Sequence, residues 1–238
     1  MGFNHLLRRW STLFGALIAM AICGLLTACV ERETLRYRIT VEIETPQGLR
    51  TGSSVWQVSA VSTPAFPGPE AGGVRGAGRG EAVAVDLPGG TLFALLRAQD
   101  GSASYYPVMS IIRELRPKGV LKPDWAAEMR AMQRNPGTFE LPAENYPLLV
   151  RFKAIADVRS VEVVTPENIS DVFGRGYAVR RITIHATDDP ISTGIESRLP
   201  WADDYVDKNL RGEKTQGRFD QGVGNIIGTG SFTTEYRR

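Results

Sequence analysis

A strict alternation of apolar and polar residues across residues 35–44 restricts the fold more than any other feature of the sequence. A period of two is typical of a β-strand with one face in the core and the other in solvent. It is followed by the turn-forming residues Thr45-Pro46-Gln47-Gly48 and then by residues 51–61, which have a second strand-like pattern. The sequence therefore predicts a β-hairpin near the start of the domain.

Further strands are predicted along the chain. Residues 81–87 and 91–96 flank Pro88-Gly89-Gly90 and predict a second hairpin. The second arm of this hairpin is apolar on both faces, so we expect it in the interior of a sheet. The remaining predicted strands are 148–155, 158–164, 177–187 and 226–236.

Helices are predicted in the middle of the chain. An apolar stripe at helical spacing is formed by Val108, Ile111, Ile112 and Leu115. Pro117 should end this helix, and Asp124 can cap a second helix whose apolar face carries Trp125, Met129 and Met132. A third, short helix is predicted with Thr165 as its N-cap and Gly174 or Gly176 at its end.

These elements predict an α+β fold for residues 35–238. We expect a single domain, built mainly of antiparallel β-sheet with a few short helices. Residues 63–80 are rich in Pro and Gly and predict a mobile loop inserted between strands. The glycines could instead admit a phosphate, but no Gly-Lys-Ser/Thr follows them and the next segment is strand-like.

The N-terminus has the organisation of a signal peptide. Arg8 and Arg9 carry positive charge, and residues 12–26 form an uncharged, largely apolar run. As a helix this run would be about 22 Å long, which is short for a hydrocarbon core about 30 Å thick. A cleavable signal peptide is therefore favoured over a permanent transmembrane helix.

The end of this run, Leu26-Thr27-Ala28-Cys29, resembles the lipobox of bacterial lipoproteins. The resemblance implies that residues 1–28 are removed, that Cys29 is acylated, and that residues 29–34 are a short tether to the membrane. Val30 stands where an Asp commonly retains such proteins at the inner membrane, which favours the outer membrane, facing the periplasm. The alternatives are an uncleaved N-terminal helix and ordinary secretory cleavage after Ala28.

Composition limits the chemistry of the mature chain. Removing residues 1–28 removes Arg8 and Arg9 but no acid, so the formal charge falls from +2 to zero. A neutral surface gives no electrostatic reason to expect nucleic acid binding. His185 would be the only histidine, and Cys29 the only cysteine, which argues against a His/Cys zinc site or a His-Cys nucleophile. No cofactor or metal motif is recognised.

Two acidic pairs are the candidate catalytic groups. Asp188-Asp189 and Asp203-Asp204 could perform acid–base chemistry in a hydrolase, although exposed turns are the more common setting for such pairs. His185 is expected on the exposed face of its strand. The aromatic residues Trp201 and Tyr205 are expected to fold back onto the core; exposed, they would mark a partner surface.

The body also resembles uncharacterised bacterial envelope proteins that open with a hairpin of the kind seen from Arg38 to Pro46. That resemblance implies no activity. We therefore expect a membrane-anchored lipoprotein whose β-rich domain has a non-enzymatic binding or structural role, with an envelope protein, lipid or polymer as partner. The alternative is a carboxylate-dependent hydrolase of the cell envelope.

Overall fold

A computed structural model describes residues 31–63, 73–102, 105–119, 124–211 and 223–236. The chain divides into two units, Met1–Arg32 with Val61–Arg75, and Glu33–Ala60 with Gly76–Arg238. The described part of the first unit consists of strand ends, at residues 31–32, 61–63 and 73–75. The layers and the core described below belong to the second unit.

The described residues form nine strands and four α-helices. The strands are β1 (Glu31–Glu44), β2 (Arg50–Thr63), β3 (Gly73–Arg79), β4 (Val83–Leu87), β5 (Gly90–Ala98), β6 (Thr138–Glu140), β7 (Pro147–Phe152), β8 (Val161–Val164) and β9 (Ala178–Ala186). The helices are α1 (Val108–Leu115), α2 (Trp125–Arg134), α3 (Ile169–Phe173) and α4 (Thr229–Phe232). One sheet has the order β3-β2-β1-β9-β6 and the other β4-β5-β7-β8. The expected α+β class, with mainly antiparallel sheet and short helices, is confirmed.

Strand β1 follows the alternation seen in the sequence. Its inward residues are all 2% exposed or less: Leu35, Tyr37, Ile39, Val41 and Ile43. It pairs with β9, where Ile182 and Ile184 are fully buried. The strand begins at Glu31, four residues before the expected start, so the segment predicted as a tether is already partly strand.

Strand β5 is buried on both faces, as its sequence predicted, and it lies inside its sheet. Leu92 and Ala94 belong to a core shared with the first sheet. Phe93 and Leu95 face a second core on the other side. Alternate residues of one strand therefore join two separate apolar layers.

The second core is covered by the C-terminal part of the chain, which is built of short helical turns. They include the 3₁₀ turns Ile195–Arg198, Ala202–Tyr205 and Val223–Asn225, together with α4. The strand predicted over 226–236 is wrong: only an isolated bridge between Glu81 and Thr233 is formed there. Gly228 and Gly230 weaken a strand, and burial of Ile227 and Phe232 against β5 and β7 favours the helical turn.

The predicted helices are mostly confirmed. Helix α1 buries Val108, Ile111 and Ile112 and ends at Leu115, two residues before Pro117. Helix α2 is capped by Asp124, whose carboxylate accepts a hydrogen bond of 2.9 Å from the backbone N–H of Ala127. Its buried residues are Met129 and Met132.

The predicted cap of α3 is present, one turn before the α-helical residues. The Asn168 backbone N–H donates to the Thr165 hydroxyl, and the Thr165 backbone N–H donates to the Asn168 side-chain oxygen, which is the reciprocal pattern of a capping box. The Ile169 backbone N–H also donates to the Thr165 carbonyl at 3.0 Å. The helix begins after Asn168 and ends at Gly174, whose φ of +115° suits a residue without a Cβ.

The loop predicted over 63–80 requires a correction. Thr63 ends β2, residues 64–72 lie outside the described residues, and Gly73–Arg79 forms the edge strand β3. A Cβ on Gly76 or Gly78 would lie 3.1–3.2 Å from the ring of Tyr106. These glycines therefore give β3 a flat face on which an aromatic ring can pack, which stabilises a strand of low intrinsic propensity.

Candidate functional site

Cys29, the residue expected to carry the lipid, lies outside the described residues. Within the described ranges, no helix has both the length and the apolar character needed to cross a bilayer. Lipidation of Cys29 therefore stays a prediction. The candidate site that can be described in atomic detail is a cavity in the folded domain.

The cavity has a volume of about 270 Å³ and lies where β1, β2 and β3 approach β5. The segment before α1 and the C-terminal segment complete its walls. Its lining is rich in aromatic and polar groups, including Tyr37, Trp56, Gln57, Gly78, Arg97, Tyr105, Tyr106 and Thr234. Pockets with apolar walls and a few convergent polar groups are typical of ligand-binding sites.

Three aromatic residues form a continuous wall of this cavity. The ring of Trp56 packs edge-on against Tyr37 and against Tyr105, with centroids 6.2 Å apart in both pairs. The Trp56 indole donates to the Glu81 carbonyl at 2.6 Å, and the Tyr105 hydroxyl donates to the Asn145 carbonyl at 2.6 Å. These bonds hold both rings in one orientation, so the wall is preorganised for a ligand.

The Tyr37 hydroxyl differs from the other polar groups of this wall. Tyr37 is 2% exposed, and burial raises the pKa of its phenol well above the ordinary value. Among the described residues, none forms a hydrogen bond with this hydroxyl. A neutral phenol that lines a cavity in this way can donate one hydrogen bond to a ligand and accept another.

Arg97, from the end of β5, provides the charge of the site. Its Nε donates to the Ser231 hydroxyl at 2.7 Å, and its Nη1 donates to the Gly101 carbonyl at 2.6 Å. Neither partner is a carboxylate, and burial lowers the pKa of the guanidinium. The remaining N–H groups of the fork are unused by these bonds, so Arg97 can bind an oxyanion.

Arg97 and Gly230 also line a neighbouring cavity of about 310 Å³. The other walls of that cavity carry the charged residues Asp207 and Lys208 and the hydroxyl residues Thr229 and Ser231. Arg97 therefore lies between two cavities. A ligand with an anionic group at Arg97 could extend from there along either the aromatic or the hydroxyl-lined side.

A second arginine, Arg79, also lines the aromatic cavity. Unlike Arg97, it is paired with a carboxylate. It forms a two-point ion pair with Glu235, with Nε–Oε1 and Nη2–Oε2 distances of 2.8 and 2.5 Å. The hydrogen bond with Glu235 raises the pKa of Arg79. Its charge is already compensated, which makes it a natural comparison for Arg97.

The four aspartates considered for catalysis are exposed. Asp189 forms an ion pair with Arg38 at 2.7 Å, and hydrogen bonds from Thr187 and Arg38 lower its carboxyl pKa. The Asp203 carboxylate accepts from the Tyr236 hydroxyl. In the described parts of the chain, no three His, Cys, Asp or Glu side chains are grouped so as to hold a metal ion. The two pairs therefore occupy the turn positions that the sequence favoured.

The other two sequence interpretations are confirmed. His185 is exposed on β9, with Nδ1 3.2 Å from the Gly137 carbonyl oxygen. Trp201 is 5% exposed and packs against Phe152 and Phe232, while Tyr205 contacts the Trp201 ring edge-on. The aromatic pair therefore covers the second core, as expected.

One acidic pair was missed by sequence reasoning. Glu81 and Glu196 are 115 positions apart in the chain, but they interact electrostatically. Burial, and to a lesser degree the charge of Glu196, raise the pKa of Glu81, whose carboxylate accepts from the Ile195 backbone at 2.7 Å. Neither residue lines the cavities beside Arg97.

The aromatic cavity was also missed by sequence reasoning, although the sequence contains one signal for it. Gly76, Gly78 and Gly80 recur at every second residue, which is the period of a strand with one flat face. The aromatic residues themselves come from three distant segments, so no local pattern joins them. No protein family model, curated protein or solved structure matches this chain.

Proposed function

We propose that this chain is a lipoprotein of the bacterial envelope whose β-rich domain binds a ligand without chemical conversion. The anchor is Cys29, and the outer membrane, facing the periplasm, is its location. The sequence Leu26-Thr27-Ala28-Cys29, placed directly after a basic and an apolar segment, supports this part of the proposal. Two or more acyl chains give stable membrane attachment, whereas one gives only marginal binding.

The binding part of the proposal rests on the aromatic cavity, which Arg97 lines. It combines aromatic walls, a Tyr37 hydroxyl without a described partner, and a guanidinium that donates to the Ser231 hydroxyl and the Gly101 carbonyl. This is chemistry for recognising a ring-bearing group with an oxyanion, on an envelope polymer, lipid or protein. The ring would contact the aromatic wall and the anion would contact Arg97.

Metabolic labelling with a fatty-acid analogue tests the anchor. The wild-type chain should incorporate label and fractionate with membranes, and Cys29→Ala should lose both properties because no thiol remains to form the thioether. Cys23→Ala is the matched control and should label normally, since that residue leaves with the signal peptide. An unlabelled wild type, or equal labelling of Cys29→Ala, would refute the anchor.

Thermal stabilisation by small probes tests the cavity. Benzoate combines a ring with a carboxylate, and benzylamine has the same ring with the opposite charge. A ligand that binds only the folded state raises the free energy of unfolding. Once the ligand concentration exceeds Kd, this gain grows with the logarithm of the ligand concentration. We expect benzoate, and not benzylamine, to raise the Tm of the wild type.

Three arginine variants locate the effect. Arg97→Gln should abolish stabilisation by benzoate, whereas Arg79→Gln should retain it, because Arg79 is neutralised by Glu235. Arg97→Lys keeps the charge and should keep part of the effect, which separates loss of binding from misfolding. Stabilisation that is equal in wild type and a folded Arg97→Gln variant contradicts the assignment.

The hydrolase alternative is favoured by one observation, the raised pKa of Glu81 next to Glu196. A carboxyl group with a raised pKa keeps its proton to a higher pH, which suits a general acid. Glycoside and ester hydrolysis should then be measurable and should be lost in Glu81→Gln. Absence of turnover in the wild type removes this alternative.

A further inference from the structure

The N-terminal end of β1 is tied to helix α2. Arg130 Nη1 lies 2.7 Å from a carboxylate oxygen of Glu33. The side-chain amide of Gln133 donates to the Thr34 carbonyl at 2.6 Å. Helix α2 therefore lies beside the first residues of β1.

This position places α2 close to the proposed anchor. Only four peptide steps separate Glu33 from Cys29, and at about 3.5 Å per residue they reach no further than about 14 Å. Any acyl groups on Cys29 would hold the α2 end of the domain within that distance of a bilayer. This step rests on the proposed lipidation.

Helices α1 and α2 also border an apolar groove, whose Phe139 wall is level with Ile39 of β1. This groove of about 350 Å³ runs between α1 and α2 and is lined by Leu115, Pro117, Ala131, Met132 and Phe139. Leu115 is 55% exposed, more than any other large apolar side chain that the structure describes. An exposed leucine beside an apolar groove is a feature of surfaces that bind lipid or protein.

The exposed charged residues of α1, α2 and the turns next to them include slightly more bases than acids. They are Arg113, Lys118 and Arg134 against Glu114 and Asp124. The Arg116 guanidinium is held by Glu128 at 2.6 Å and lies 5.0 Å from the centroid of the Trp125 ring. Exposed basic residues near a membrane are attracted by anionic lipid headgroups.

We propose that the α1–α2 surface lies on the membrane, with Leu115 inserted at the level of the headgroups. The occupant of this surface is thus the lipid bilayer to which Cys29 is attached. The opposite end of β1 then points away from the membrane. Glu44 lies eleven residues after Glu33, or about 36 Å along the strand, and Leu49 follows the next turn.

Leu49 provides a matched control, because it is also an exposed leucine, with 47% of its surface accessible. The variants Leu115→Cys and Leu49→Cys are expressed as full chains, purified with their lipid, labelled with an environment-sensitive fluorophore, and reconstituted in phosphatidylethanolamine–phosphatidylglycerol vesicles. The introduced thiol is the only reactive one if Cys23 is removed and Cys29 is acylated. Quenching is then measured with spin-labelled lipid and with aqueous iodide.

We expect spin-labelled lipid to quench the fluorophore at position 115, with a blue shift of its emission on reconstitution. At position 49 we expect iodide to quench the fluorophore and spin-labelled lipid to leave its fluorescence unchanged. Lys118→Cys, three residues from Leu115, gives a second reporter if Leu115→Cys does not fold. Equal quenching by lipid at 115 and 49, or iodide quenching alone at 115 and 118, overturns the proposed orientation.

Mass spectrometry of the purified chain separates this inference from the proposed function. An acylated Cys29 with no lipid quenching at position 115 shows that the anchor is real and the membrane-facing surface is wrong. An unmodified Cys29 refutes the anchor, and the inference fails with it. Acylation together with lipid quenching confined to 115 supports both.

Discussion

Truncation of Phe232 should strongly destabilise the domain, because this ring holds the C-terminal turns against the second sheet. Phe232 is fully buried, and its ring centroid lies 5.5 Å from Phe93, 6.1 Å from Phe152 and 5.4 Å from Trp201. Large-to-small replacement of a buried phenylalanine typically costs about 3–5 kcal/mol. Each aromatic contact contributes roughly 0.5–1.5 kcal/mol beyond its buried area.

We therefore expect Phe232→Ala to lower the free energy of unfolding by about 3–5 kcal/mol. For a chain of this size the corresponding fall in Tm is roughly 6–20 °C. Phe232→Leu keeps most of the buried apolar area and loses the ring contacts, so its loss should be about 1–2 kcal/mol. Urea unfolding followed by circular dichroism measures both changes.

An exposed leucine provides the control for this experiment. Leu49→Ala should change stability by less than about 0.5 kcal/mol, as is usual for a surface substitution. If Phe232→Ala cost no more than Leu49→Ala, the C-terminal turns would not be a structural layer of the domain. The assignment of Trp201 and Phe232 to a second core would then be wrong.

Three further substitutions test local features of the fold. Gly52→Ala should lower the free energy of unfolding by about 1–3 kcal/mol or more, because the new Cβ would lie 2.2 Å from the Ala84 carbonyl oxygen. A Cβ at Gly230 meets nothing within 4 Å, so Gly230→Ala should be nearly neutral in the same urea titration. Asp86→Asn should lose less than about 1 kcal/mol near neutral pH, since the exposed Asp86–Arg198 pair is screened by solvent. The bond from Arg198 lowers the pKa of Asp86, so this stabilisation is present above the unfolded pKa of about 3.9 and is lost as the pH falls through the lower folded value. Wild type and Asp86→Asn should therefore converge in acid, and a difference that grows in acid contradicts this assignment.

The two proposals make different demands on the same domain. The anchor and the α1–α2 surface would fix its orientation on the membrane, while the aromatic cavity would bind a ligand through Arg97. Arg97 comes from β5 and the membrane-facing residues from α1 and α2. Variants of Leu115 should therefore leave the response to benzoate unchanged, and variants of Arg97 should leave lipid quenching unchanged.

Elements whose pattern is long and regular were predictable from the sequence. The alternation of β1, the both-sided burial of β5 and the burial of Val108, Ile111 and Ile112 on α1 follow from side-chain period alone, whereas Leu115, the fourth residue of the predicted stripe, is exposed. The Asp124 cap was also predictable, because a side-chain oxygen next to the first helical turn satisfies a free backbone N–H. In each case the deciding interaction lies within a few residues of the chain.

The errors occurred where a distant residue decides the local structure. Gly73–Arg79 is a strand because Tyr106 packs on its glycines, and a Gly-rich segment has no strand propensity of its own. Residues 226–236 turn rather than extend, because Phe232 is buried against Phe93 and Phe152.

The sequence by itself determined the fold class, the order of most strands and helices, and the one residue expected to carry a lipid. These depend on local period, on capping and turn chemistry, and on a short contiguous motif. Only the tertiary structure decided that Tyr37, Trp56, Tyr105 and Arg97 share a cavity and that α2 lies beside the first residues of β1. The reason is physical: these groups come from segments far apart in the chain, and their proximity results from packing of the two sheets rather than from any pattern that a single segment carries.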